Sequence, residues 1–216
     1  YSTGYTTLFH TLGLMVETHM LKPYKIRVAQ TYELLLSTLD FTEEKSEIIK
    51  NLRANAVADI LKNNTYPISY TVDKENPTLL NFKGYEATTI ESKVTNGKRL
   101  FYDRTKPFTK ETNYFNNFLP EKEITIPKAY ILQQGWHQIV DRLKKNNIQF
   151  STFTKDTTIT VLVNHISDYK TRNAAYEGHY LHYNTTVSES TKKVAFRKGD
   201  LYIPTNQNGL RYLLET

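Results

Sequence analysis

The sequence predicts an α+β fold, on three observations. A short apolar run, Leu12-Gly-Leu-Met-Val-Glu17, suits a strand buried on both faces. Two helical patterns follow between residues 23 and 64. After residue 65, runs rich in Thr, Val, Ile, Tyr and Phe dominate, with one helical pattern among them. The expected architecture is an N-terminal strand and two helices, 1–64, followed by a β-rich sandwich-like domain with one inserted helix, 65–216.

Each element has its own signal. Pro23 opens the first helix, where its missing N–H costs nothing. Val28, Tyr32, Leu35, Leu36 and Leu39 then recur at helical spacing and form one apolar face. Thr42, with Glu43 and Glu44 behind it, reads as the cap of the second helix. Ile48, Ile49, Leu52, Ala56, Val57, Ile60 and Leu61 supply that helix's apolar face. Strand-like runs are expected at 66–72, 79–94, 99–103, 123–132, 148–154, 157–166, 179–187, 193–203 and 210–214. Asn96-Gly97 is a hairpin turn signal. Trp136, Ile139, Val140 and Leu143 mark the inserted helix, closed by Lys144, Lys145, Asn146 and Asn147. A strand–helix–strand unit is therefore expected over 128–154.

Composition excludes several classes. The chain has 216 residues, and 28 basic against 22 acidic side chains leave a net charge of +6. It has no Cys, which removes disulfide scaffolds, Cys-ligated zinc fingers, iron–sulfur clusters and thiol nucleophiles. No stretch approaches the roughly 18 apolar residues of a membrane-spanning helix. The first 64 residues carry seven basic and seven acidic side chains, so the positive surplus lies wholly in the remainder. The chain's sixteen Tyr and ten Phe, together with its basic groups, permit stacking on a polymer. Their even spread, and the lack of any nucleic-acid-binding signature, argue against nucleic acid and leave a glycan-stacking surface as the stronger binding reading.

Ser2-Thr-Gly-Tyr5, His10-Thr-Leu-Gly13 and Glu17-Thr-His19-Met-Leu-Lys-Pro-Tyr24-Lys-Ile-Arg27 together resemble a stretch late in the zinc carboxypeptidases, the carboxypeptidase A-like metallopeptidases. Tyr176-Glu-Gly-His-Tyr-Leu-His-Tyr183 and Phe196-Arg-Lys-Gly-Asp-Leu-Tyr202 look like the β-rich C-terminal extension of a Bacteroidetes-type branch of that family. The resemblance implies that residues 1–64 close a catalytic domain and that 65–216 form an accessory domain. It implies that Glu17, delivered by a strand just before the last helix, is the general base. It also implies that Tyr5 matches a mobile substrate-contacting tyrosine and that His19 contacts substrate or orients Glu17. Peptide is the implied substrate, and the periplasm or the cell exterior the implied location.

Zinc in this family polarises the scissile carbonyl and lowers the pKa of its bound water to about 7. A neighbouring carboxylate takes the water's proton and passes it to the leaving amine. The family binds its zinc through His-x-x-Glu and a later His, all ahead of the general base. No His-x-x-Glu occurs here. Zinc is thus expected in a parent protein, its ligands on an upstream catalytic segment, and neither zinc nor peptidase activity in these 216 residues alone. Both ends carry apolar residues that suit the inside of a longer fold. Residues 1–20, deprived of neighbouring strands, are expected to be rebuilt, paired to another chain or covered by an upstream segment.

Plainer readings stand beside these. Glu17 could cap the following helix or pair with Lys22 or Arg27. His10 reads as a packed or capping histidine, and Tyr5 as a core residue. His179 and His182 are an odd number of residues apart, so a strand would turn them to opposite faces and spoil a metal site. His165 and Asp168 could meet in a turn by chance. Lys192, Lys193, Arg197 and Lys198 suit a solvated strand face. The reading that competes with the peptidase is a non-catalytic binding module for peptide, glycan or cell-wall polymer, which requires a contiguous cluster of exposed aromatic rings.

Overall fold

A computed structural model describes residues 2–20 and 22–216. The chain is α+β, with a helical N-terminal part and a β-rich remainder. In chain order the described elements are α1 (Ser2–Thr7), α2 (Tyr24–Glu44), α3 (Ser46–Ile60), β1 (Thr65–Val72), β2 (Thr78–Glu91), β3 (Lys98–Tyr114) and β4 (Phe118–Thr125). Then come β5 (Ala129–Leu132), α4 (His137–Lys145), β6 (Ser151–Thr152), β7 (Thr157–Thr171), β8 (His182–Phe196), β9 (Leu201–Pro204) and α5 (Leu210–Glu215). No helix among the described residues is long and apolar enough to cross a membrane. The chain forms two compact units, one of residues 1–63 with 126–216 and one of residues 64–125. The first division falls beside the boundary expected at 64/65. The second falls where the composition shows no break, so that 126–216 groups with the N-terminal helices.

In the larger unit the core is a three-stranded antiparallel sheet in the order β5–β9–β6. β5 and β6 both run antiparallel to β9, so they are parallel to each other, and α4 is the crossover between them. This is the expected strand–helix–strand unit, with β9 inserted at its centre. Leu143 of α4, Ile148, Leu201 and Ile203 of β9, and Tyr212 of α5 form the buried cluster. Residues 210–214 were expected as a strand and are helical. The run Leu210-Arg-Tyr-Leu-Leu214 is too short for periodicity to decide; in the helix it forms, Leu210 and Tyr212 are both buried.

The turn into β9 is held by Asp200, which is 3% exposed. Its carboxylate accepts hydrogen bonds from the backbone N–H groups of Arg197 at 2.8 Å and Gln134 at 3.1 Å. Gly199 takes φ +96°, and a Cβ there would meet Gln134 Oε1 at 2.8 Å, so both backbone and space call for glycine.

α2 begins at Pro23, whose carbonyl accepts from Ile26 and Arg27 N–H. It runs through Thr42, the expected cap of the next helix, because the Thr42 hydroxyl bonds the Thr38 carbonyl within α2 instead. Lys45 alone separates α2 from α3. The expected strand at 12–17 is absent. Residues 11–19 have no regular structure, and Leu12 and Leu14 are 75% and 70% exposed. A parallel-type strand needs a neighbour on each edge and a layer on each face, and the described residues supply neither. Residues 2–10 form α1 and a turn.

β7 and β8 form a long antiparallel ribbon from Thr157↔Phe196 to Thr171↔His182. At its tip Tyr176 and His179 exchange backbone hydrogen bonds around Glu177 and Gly178, at φ +50° and +81°. That two-residue geometry fits the right-handed twist of the strands.

Residues 64–125 are a second ribbon, in two stretches: β1 pairs β4, and β2 pairs β3. Between the stretches Asp73 accepts from the N–H groups of Glu75 and Asn76, and its own N–H bonds the Asn117 carbonyl, so pairing crosses the break. The Asn96-Gly97 signal is met by a Ser92–Gly97 turn with Asn96 at φ +54°. Gly84, opposite Phe108, lies under that ring, where a Cβ would come within 2.7 Å. The aromatic side chain covers the gap that glycine leaves in a strand.

Two predictions follow from these contacts. Thr65 faces Thr125, so the second ribbon enters and leaves at one place. Replacing residues 65–125 by a short glycine linker is expected to leave a cooperatively melting α/β unit, by circular dichroism; a broad, non-cooperative melt would contradict the division. Hydrogen bonds from Arg197 and Gln134 N–H lower the Asp200 pKa below 3.8. The carboxylate therefore stabilises the fold above pH 3.8, and that contribution is lost as pH falls through its native value. Asp200→Ala leaves the N–H groups of Arg197 and Gln134 without their acceptor and is expected to cost about 1–3 kcal/mol at pH 7, a deficit that narrows on acidification. Urea melts from pH 7 to pH 3 test both statements.

Candidate functional site

The candidate site begins at α1. His10 follows that helix with φ +50°, the left-handed position that glycine usually takes after a helix. Thr11 N–H bonds the Thr6 carbonyl and His10 N–H bonds the Thr7 carbonyl, closing the helix end. The chain then turns back, so that a Cβ on Gly13 would lie 3.2 Å from the Thr3 Cα. Beyond it the segment reaches Glu17 as an exposed, irregular stretch. The two partners expected for Glu17 are engaged elsewhere: Lys22 donates to Gln30, and Arg27 lies over the Tyr24 ring. The His19 carbonyl accepts from Lys22 N–H.

Tyr5 lies half-exposed on α1. Its hydroxyl donates to Asn146 Oδ1 at the end of α4, and its ring meets Phe9 edge-on. Phe9 in turn stacks on Tyr212. The structure thus uses Tyr5 to fasten α1 onto the buried cluster, while Glu17 and His19 lie on the stretch beyond the turn.

The remaining candidates are dispersed. His179 is in the tip turn of the β7–β8 ribbon. His182 opens β8, its Nδ1 2.8 Å from the Thr171 hydroxyl and its ring edge-on to Tyr169. His165 Nε2 lies 3.3 Å from Lys192 Nζ, while Asp168 accepts from Tyr169 N–H. Among the described residues, no group of three or more His, Asp or Glu could hold a metal.

Two features lie outside those candidates. His10 sits where α1, α3 and α5 meet: Arg53 of α3 donates from Nε to the His10 carbonyl at 3.0 Å and from Nη2 to the Thr11 hydroxyl at 2.9 Å. Burial, then Arg211 of α5 and Arg53, hold the imidazole pKa below its ordinary value. Nothing in the sequence brings residues 10, 53 and 211 together. The second feature is a shallow aromatic depression on the β2–β3 ribbon, lined by Lys83, Gly84, Tyr85, Pro107, Phe108 and Thr109. Phe82 and Phe108 pack there with ring centroids 6.3 Å apart. Its sequence signal is a glycine between aromatic residues inside a strand pattern.

No protein family, curated protein or solved structure with which the chain was compared matches it.

Proposed function

We propose that this chain is the closing part of a secreted zinc metallocarboxypeptidase: the end of its catalytic domain, with Glu17 as general base, joined to a β-rich accessory region. One observation carries the reading. Glu17 follows an apolar run, Leu12, Leu14, Met15 and Val16, whose side chains lie open to solvent, and it precedes a helix that starts at Pro23. Uncovered apolar side chains leading to a carboxylate are what a strand from the interior of a larger sheet would leave once its neighbours are taken away. The resemblance of residues 2–27, 176–183 and 196–202 to that family supplies the chemistry. The metal belongs to ligands outside these residues, and the role left to this chain is to hold one carboxylate for proton transfer. Tyr5 and His19 are the substrate-contacting candidates in the same reading.

The full-length protein that contains this chain is expected to bind one zinc and to release C-terminal amino acids from peptides. Glu17→Gln is expected to lower kcat by about 10²–10⁴ with zinc content unchanged, since proton transfer is lost and the ligands are not. The 216-residue chain alone is expected to do neither. A full-length product without zinc, or an E17Q variant with undiminished kcat, would overturn the proposal.

A second reading draws on the exposed rings of the β2–β3 ribbon. The depression around Gly84, with Phe82 and Phe108 on it and Tyr85 and Pro107 in its lining, is a ready stacking surface for a glycan or cell-wall polymer. Calorimetric titration with oligosaccharides and soluble cell-wall fragments tests it. Binding weakened at least about tenfold by Phe82→Ala supports the binding module; an absence of binding by the unaltered chain ends it.

A further inference from the structure

We propose that His10 is a proton-operated latch: neutral, it keeps α1 docked against α3 and α5, and protonated, it releases that segment. The inference stands apart from any role of Glu17 and rests on the junction itself.

The dock has few fastenings. Tyr5 bonds Asn146, Phe9 stacks on Tyr212, and Leu8 and Phe9 pack against the buried cluster. Arg53 clamps the exit of the helix through the His10 carbonyl and the Thr11 hydroxyl. The imidazole sits beneath this clamp, and its Nε2 is buried without a hydrogen-bond partner. For a neutral ring with its proton on Nδ1 the cost is one unmatched lone pair. A protonated ring would bury an N–H without an acceptor, beside charges of its own sign. The charged groups facing it are Arg53 from α3 and Arg211 and Glu215 from α5; α1 itself contributes none. Glu215 opposes the two guanidiniums, yet it is already the partner of Arg211 Nε at 2.6 Å.

His10 also holds a left-handed backbone, at φ +50°. Undocking lets water solvate the ring, so the proton favours release. Above pH 6.5 the undocked ring is neutral and the dock has its full strength. As the pH falls below that value, the released form gains protons that the docked form resists. Asp73, Asp103 and Asp200 all titrate below 3.8, outside the window from pH 7.5 to 5.5.

The test is hydrogen exchange on the whole 216-residue chain. Protection of the Leu8, Phe9, His10 and Thr11 amides, corrected for intrinsic rates, is expected to fall between pH 7.5 and 5.5 by up to about tenfold. That limit is set by an undocked imidazole titrating near 6.5. The β9 amides are expected to stay unchanged. In His10→Asn, which tolerates the same φ and does not titrate, the pH dependence should vanish. The His10 ring, followed by NMR in the unaltered chain, should titrate below 6.5. A pH-independent α1, an H10N variant with the original pH response, or a His10 resonance titrating at or above 6.5 would each overturn the latch.

Discussion

Pairing of β9 on both of its edges is the constraint on which the larger unit depends. Four residues, Leu201 to Pro204, join β5 on one side and β6 on the other, and two of them, Leu201 and Ile203, turn into the buried cluster. A strand in that position spends its backbone groups on sheet hydrogen bonds and its apolar side chains on α4 and α5. The turn before it must then be sharp, which explains why Gly199 and Asp200 stand together: one accepts the positive φ, the other accepts the N–H groups the turn leaves over. The docking of α1 depends on the same cluster, because Phe9 stacks on Tyr212 and packs with Leu8 against it.

The ribbons obey the opposite rule. Two strands have two faces and two outer edges and cover none of them, so most of their apolar side chains stay exposed. Their order comes from turns and cross-strand contacts instead. Asn96-Gly97 and Glu177-Gly178 set the ends, Asp73 carries pairing across the break, and Phe108 fills the place of the side chain that Gly84 lacks. Such local devices fix register cheaply and bury little, and they leave Phe82 and Tyr85 accessible. The same open surface that makes a ribbon marginal on its own makes it serviceable as a contact surface.

Local signals were the legible part of the sequence. Pro23, the 28–32–35–36–39 spacing, Asn96-Gly97 and the 136–143 pattern each act over a few residues, and each element stands where its signal puts it. Non-local competition was not legible. Leu12–Glu17 reads as a strand because its side chains are apolar, but a strand is a property of pairs, and no partner is present among the described residues. Leu210–Leu214 reads equally as strand or helix until Ile148, Leu201 and Ile203 are known to lie beside it. Thr42 could cap one helix or bond back within another, and the unbroken α2 decided for the second. Of the site, Tyr5 and Glu17 could be named as candidates from residue type and resemblance, yet the bond from Tyr5 to Asn146 spans 141 residues and leaves no trace in either segment.

His10 shows why such junctions escape a sequence reading and still matter. A histidine after a short helix is unremarkable in a list of residues, and its usual explanation is packing. What changes its meaning is the company the fold assembles: a left-handed backbone, an unpartnered buried nitrogen, and guanidiniums that lie 43 and 201 residues further along the chain, at Arg53 and Arg211. Each alone is tolerable. Together they disfavour one protonation state of one ring in the docked helix, and that bias is a property of the assembled junction, held by no single segment.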